Sequence, residues 1–176
     1  MAIYLPKRIH IIGSVASGKT TLAKKLSTQL GIPYYELDNI VWKRGVTEDK
    51  RRTEQEREVY LETIIQSEKW IIEGVHNEDW VANSFYEADV IIFLNTPYAI
   101  RTFRIIKRYI KQTLGIEKSN YKPNIRIFFK MFKWNRHFES VGKKHFFEEF
   151  GKLKEKIYVV STNKEVIDIL GYNDKK

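Results

Sequence analysis

The chain has no cysteine among its 176 residues, which excludes a disulfide framework, thiolate chemistry and zinc–thiolate sites. Long hydrophobic runs are missing too. Every apolar stretch falls well short of the roughly 20 residues that cross a bilayer. The N-terminal "MAIYLPKRIHIIGS" has too short an apolar run for a secretory leader. A cytoplasmic protein without membrane association is the expectation. With no internal repeat, low-complexity tract or linker-like stretch, residues 1–176 are expected to form one domain. Hydrophobic residues, 43% of the total, suffice for its core. Acidic residues are scarce where they would balance charge. Residues 101–156 hold 16 Lys and Arg against 5 Asp and Glu, while the other 120 residues hold 15 against 17. One third of the chain therefore supplies the whole net charge of +9. Such a surplus implies an anionic partner: nucleotide phosphates, nucleic acid or an anionic membrane.

What is present starts with "GSVASGKT", residues 13–20, which matches G-x-x-x-x-G-K-[ST]. An apolar run, "RIHIIGS", precedes it, and leucines at 22, 26 and 30 give a helical period after it. Gly13 and Gly18 let the backbone turn tightly and bring its N–H groups against phosphate oxygens. The following helix adds the positive end of its dipole. Lys19 reaches the β- and γ-phosphates as a point charge, and the Thr20 hydroxyl binds Mg²⁺. Ser14, Ala16, Ser17 and Thr21 complete the expected nucleotide-binding set. ATP and Mg²⁺ are the implied ligands.

Further strands are expected over 33–38, 69–75, 88–95 and 156–162. Helices are expected from the capping box "TEQE" (53–56) to about residue 67, over 96–115 with Thr96 as N-cap and Pro97 first in the helix, and over 164–171, stopped by Gly171. Alternating strands and helices predict an α/β fold: a three-layer α/β/α sandwich on a five-stranded parallel sheet. "IRIFFKMFKWNRHF" (125–138) reads as a helix with one narrow basic stripe, Arg126, Lys130, Lys133 and His137. The rest of its circumference is apolar and expected to lie under other protein.

"GSVASGKTTLAKKL", "ELDNIVW", "WIIEGV", "ADVIIFLNTP" and the arginines that follow together resemble the small nucleotide kinases related to adenylate kinase. Within that group the chain is similar to the bacterial proteins labelled DNA topology modulation proteins. The resemblance implies an ATP-dependent phosphotransferase acting on a small-molecule acceptor. It implies that Asp38 contacts the acceptor or serves as its base, and that Glu73 supports the metal. Arg104 would flank the base and Arg108 would reach the transferring phosphates, with Arg101 on the same helix face. Thr162, Asn163 and Lys164 would lie near the base. It also implies a helical lid, an insertion over about 109–150, with Arg136 as its cation and Lys143 and Lys144 as further candidates.

The sequence departs from adenylate kinase in lacking an arginine after "EG", where His76 and Asn77 stand. Acceptor-side charge could instead come from Arg51, Arg52 or Arg57. The competing reading is a nucleic-acid-associated P-loop protein that uses the basic third as its binding surface. A monomer or homodimer is expected.

Overall fold

A computed structural model of the chain describes residues 6–45, 48–116 and 124–170. Its elements run β1 (Arg8–Gly13), α1 (Lys19–Leu30), β2 (Tyr34–Glu36), α2 (Leu37–Val41), β3 (Trp42–Lys43), β4 (Lys50–Arg51), α3 (Glu54–Ile65) and β5 (Trp70–Gly74). They continue through α4 (Ala82–Glu87), β6 (Val90–Leu94), α5 (Tyr98–Thr113), α6 (Ile125–His137), α7 (Lys143–Phe150), β7 (Ile157–Val160) and α8 (Asn163–Ile169). A 3₁₀ turn, Asp79–Val81, leads into α4, and a π turn, Phe138–Gly142, joins α6 to α7. The stop expected at Gly171 and residues 117–123 of the expected lid lie outside the described residues.

Among the described residues, five strands pair in parallel in the order β2-β5-β1-β6-β7. Side chains alternate across this sheet and build two cores. Ile12, Trp70, Ile72, Ile91 and Phe93 face α2, α3, α4 and α7, whereas Ile9, Ile11, Ile71, Ile92 and Leu94 face α1 and α8. These are the three layers expected. The capping box opens α3 as expected: the Thr53 hydroxyl accepts from the Glu56 N–H at 3.2 Å, and the Glu56 carboxylate accepts from the Thr53 N–H at 2.8 Å. The antiparallel pair β3–β4 was not expected.

Several expectations need correction. The second strand ends at Glu36, and Asp38 lies within the single-turn helix α2. Pro97, not Thr96, is the N-cap of α5. The Thr96 hydroxyl instead lies 3.0 Å from the Ser17 carbonyl and 3.2 Å from the Ser161 carbonyl. The stretch 109–150 is not all lid. Phe138, Phe146 and Phe150 are buried in the main core, their rings packed with those of Phe85 and Phe93. Nor is α6 covered around most of its circumference. Met131 and Asn135 are buried, but Ile125, Phe129 and Trp134 are exposed.

His10 sits at the centre of β1, fully buried and stacked on Phe85 with ring centroids 3.9 Å apart. The Ser84 hydroxyl donates to the Val81 carbonyl at 2.6 Å, so we assign the 3.0 Å contact with His10 Nδ1 as a bond that Ser84 accepts. Nε2 has no partner among the described residues. Burial pushes the imidazole down to about 3, from an ordinary value near 6.5. The folded state thus keeps His10 neutral while the unfolded chain takes up a proton below about pH 6.5, so stability falls with pH between about 6.5 and 3. This residue alone is expected to cost about 2 kcal/mol between pH 7 and pH 5. Urea unfolding of wild type and His10→Leu at both pH values tests this. The variant should lose correspondingly less stability over that interval, and equal losses would remove His10 as the cause.

Candidate active site

The turn between β1 and α1 lies at the carboxyl edge of the sheet, where ligands of open α/β sheets bind. Gly18 adopts φ 106°, a left-handed backbone conformation that a side chain would strain. Ala16 sits at φ 60° and pays that strain, about 1 kcal/mol for a residue with a Cβ. Ala16→Gly is therefore expected to stabilise the protein by about 0.5 kcal/mol, after glycine's larger loss of chain entropy. A thermal melt should show a rise of about 1–2 °C; a fall would mean that the loop does not hold this conformation in solution.

The Lys19 ammonium donates to the Ser14 carbonyl at 3.0 Å, which keeps it over the turn. Thr20 donates its hydroxyl to Glu73 Oε1 at 2.5 Å, joining the first turn of α1 to the end of β5. Glu73 is buried. Burial raises its pKa; the Lys19 charge and the Thr20 hydrogen bond oppose this, while Glu36 and Asp38 add to it. A carboxylate so poorly solvated gains from any cation placed beside it. Beside it, Gly74 leaves room for α2. A Cβ there would meet Leu37 Cδ1, Cβ and Cγ at 2.6, 2.8 and 2.9 Å.

Arg104 is brought to the turn, where one Nη donates to the carbonyls of Ala16 at 3.2 Å and Ser17 at 2.9 Å. Asn163 reaches the same loop through a 3.3 Å bond to the Gly18 carbonyl. Both side chains bind its carbonyls, leaving the loop's N–H groups free of them. Arg108 lies one turn farther along α5, on the surface. Arg101 does not join these two. Its guanidinium is buried, lies near the Tyr98 ring and pairs with Glu139 of the π turn. No anionic ligand is needed to explain it. Arg136 is exposed on the last turn of α6, and its side chain has no partner among the described residues.

The opposite wall is built from α2, α3 and the loop after β5. His76 Nε2 lies 3.9 Å from Asp38 Oδ1, and Nδ1 lies 3.1 Å from Glu78 Oε2. The hydrogen bond from His76 is the largest of the causes that hold the Glu78 carboxyl down to about 2. The His76 ring meets the edge of Trp80, with centroids 5.3 Å apart, and the Arg57 guanidinium lies 4.6 Å over the Trp80 ring. Arg57 is largely buried, 3.9–4.0 Å from Glu54 and Glu58, and its Nε has no partner among the described residues. Of the other suggested cations, Arg52 donates to the Asn39 and Ile40 carbonyls and so caps α2, and Arg51 is exposed in β4.

Sequence reasoning missed Asn135. Its side-chain oxygen accepts from the Ser14 hydroxyl at 3.0 Å, and its amide nitrogen donates to Thr102 at 3.3 Å. It ties the turn to both α5 and α6. The available signal was one amide on the buried face of a helix, between Met131 and Phe138. Two further ties close this side of the edge: the Lys143 ammonium donates to Asn95 at 2.9 Å, and Asn77 donates to the Gly142 carbonyl at 2.8 Å. A separate cavity of about 700 Å³ lies at the other end of the sheet. The charges around it pair with one another, Arg8 with Glu87 and Asp89 and Lys7 with Glu68, and it has no contact with the turn.

No model of a known protein family matches this sequence. Among curated proteins, the shikimate kinase of Aquifex aeolicus (strain VF5) is 27% identical over 104 residues, a match that takes in 53% of this chain. The chain spans 62% of the length of that relative. Among solved structures, the shikimate kinase of Acinetobacter baumannii in complex with shikimate superposes with a TM-score of 0.59. It covers 99% of this chain and 97% of the other, at 14% identity. The Aquifex aeolicus shikimate kinase structure gives 0.52 at 19% identity, covering 93% of each chain. The chain therefore has the α/β P-loop kinase fold of the shikimate kinase structures.

Proposed function

We propose that the chain is an ATP-dependent small-molecule kinase that transfers the γ-phosphoryl group to an acceptor hydroxyl. The observation that carries this reading is the Thr20–Glu73 bond facing the Asp38–His76 wall. A phosphate-binding turn and its metal-side pair stand on one side of the edge. A carboxylate backed by an imidazole stands on the other. In this reading the backbone of Gly13–Thr21 and the Lys19 ammonium hold the triphosphate. Arg104 lies on the base side of the loop, and Arg108 and Arg136 turn toward the phosphates when ATP is bound. Asp38 accepts the proton of the acceptor hydroxyl as its oxygen bonds to the γ-phosphorus, and ADP leaves with the electrons of the broken bond.

Thr20 and Glu73 suit Mg²⁺, which favours oxygen donors, a carboxylate or two and retained waters. Burial and the neighbouring Glu36 and Asp38 carboxylates push the Glu73 pKa up against the pull of Lys19, so a cation beside it would be favoured. Mg²⁺ would neutralise charge on the phosphate oxygens. Arg57, whose guanidinium lies over Trp80 beside His76, supports an acceptor that itself carries negative charge. We further propose one P-loop kinase domain over 1–176, cytoplasmic, a monomer or homodimer. Kinship with the DNA topology modulation proteins rests on "ELDNIVW" and "WIIEGV".

The test is a panel of shikimate, nucleosides, nucleoside monophosphates and phosphorylated sugars, incubated with Mg²⁺-ATP and scored for ADP and phosphorylated product. One acceptor should be turned over far faster than water. Turnover of none, by protein that binds ATP, would end the kinase reading.

A further inference from the structure

We propose that the outer face of α5 and α6 docks onto an anionic lipid surface, a role separate from the reaction above. Phe103, Ile106, Ile110 and Leu114 recur at i, i+3, i+7 and i+11, the spacing of one helix stripe. A stripe of this kind ordinarily faces the core. Here it faces outward: Phe103 is 63% exposed, Ile110 51% and Leu114 67%. The buried side of α5 is carried by Arg101, Ile105 and Gln112.

α6 extends this face. It packs on α5 through Asn135 with Thr102 and through the Phe128 and Tyr109 rings, whose centroids lie 4.4 Å apart. Just beyond that contact on the helix wheel come Ile125 and Phe129, 50% and 65% exposed. The apolar strip thus runs along both helices.

Charge identifies the occupant. Neither α5 nor α6 contains an Asp or Glu. Lys107 and Lys111 flank the strip on α5, and Arg126, Lys130 and Lys133 flank it on α6. None of these five has a partner among the described residues. A second copy packed face to face would set these cations against each other. Nucleic acid binds such surfaces by stacking bases on aromatic rings, but this strip is mostly aliphatic. An apolar strip with Phe at its centre and lysines on its borders suits the acyl–headgroup boundary of an anionic membrane. No helix among the described residues is long and apolar enough to cross a membrane, so the attachment lies along the surface. Arg104, which meets the phosphate-binding turn, leaves α5 on a different side from this strip. Nucleotide can therefore reach the turn and Arg104 while the face is docked, whereas Arg136, at i+7 from Phe129 on the docking face, turns to the phosphates only when the face is free.

The full chain is tested by sedimentation with vesicles of phosphatidylcholine alone and with about one third phosphatidylglycerol. Binding should be at least about tenfold stronger with the anionic lipid and weaken with added salt. Phe129→Ser with Ile110→Ser should lower it about tenfold or more by removing buried apolar area. Lys130→Glu with Lys133→Glu should do the same through charge. All four side chains project into solvent, so circular dichroism should report an unchanged fold. Three results would overturn the proposal. One is equal or absent binding to both vesicle types. Another is a dimer in light scattering that the Phe129/Ile110 variant converts to monomer. The third is tight binding of a single-stranded oligonucleotide that anionic vesicles fail to displace.

Discussion

Lys19→Ala is expected to lower phosphoryl transfer from ATP by at least about a thousandfold while leaving the fold intact. The size of the loss follows from the chemistry. Charge spreads over the γ-phosphoryl oxygens as the bond to ADP breaks, and a fixed ammonium at that point stabilises it without solvent reorganisation. The small effect on stability follows from the structure. Lys19 is only part-buried, and its side-chain hydrogen bond goes to the Ser14 carbonyl, which water can replace. The melting temperature should move by no more than about 2 °C. Turnover of the best acceptor in the panel checks the first half and a thermal melt the second. A loss of less than about tenfold with an unchanged melt would take Lys19 out of the chemistry.

Gly74→Ala is expected to damage both the fold and the acceptor side of the site. The added methyl would sit 2.6–2.9 Å from three Leu37 carbons, well inside contact distance. Leu37 is fully buried at the head of α2 and cannot swing away into solvent. The clash must push α2 off the sheet, at a cost of about 1–3 kcal/mol, the range for an overpacked core. Asp38 is the next residue, so the same displacement should pull its carboxylate away from His76 and lower turnover more than ATP binding. Urea unfolding gives the first quantity, and comparing transfer rate with the affinity for an ATP analogue gives the second. A loss below about 0.5 kcal/mol would mean that α2 is free to retreat.

The phosphate-binding turn was legible because its chemistry is local: two glycines, a lysine and a hydroxyl in one octapeptide between a strand and a helix. The central strands were legible for a similar reason, since burial on both faces leaves continuous apolar runs such as "VIIFL". α2 was not, because one turn of helix has no period to read. The 138–150 stretch was misread for a geometric reason. The π turn at Phe138–Gly142 takes up an extra residue, so the stripe Met131, Asn135, Phe138 resumes at Phe146 and Phe150, out of phase with a continuous α-helix. Arg101 was grouped with Arg104 and Arg108 because spacing alone cannot show that Glu139, 38 residues away, arrives beside it. The wall proposed to hold the acceptor requires three separate segments, those of Asp38, Arg57 and His76 to Trp80, to meet. No pattern within any one of them announced that.

The strand order has a consequence for how the protein is made. β1 lies at the middle of the sheet, yet its register partners begin at Trp70 on one side and Val90 on the other. During synthesis, the central strand and its phosphate-binding turn leave the ribosome with nothing to pair against until β5 has emerged. β6 and finally β7, which pairs Ile157 with Ile91, complete the ladder later still. Closing such distant contacts makes folding slow. The nascent chain therefore carries "RIHIIG" without its two neighbouring strands until β5 and β6 have been made, and nucleotide can select the finished sheet but cannot template it.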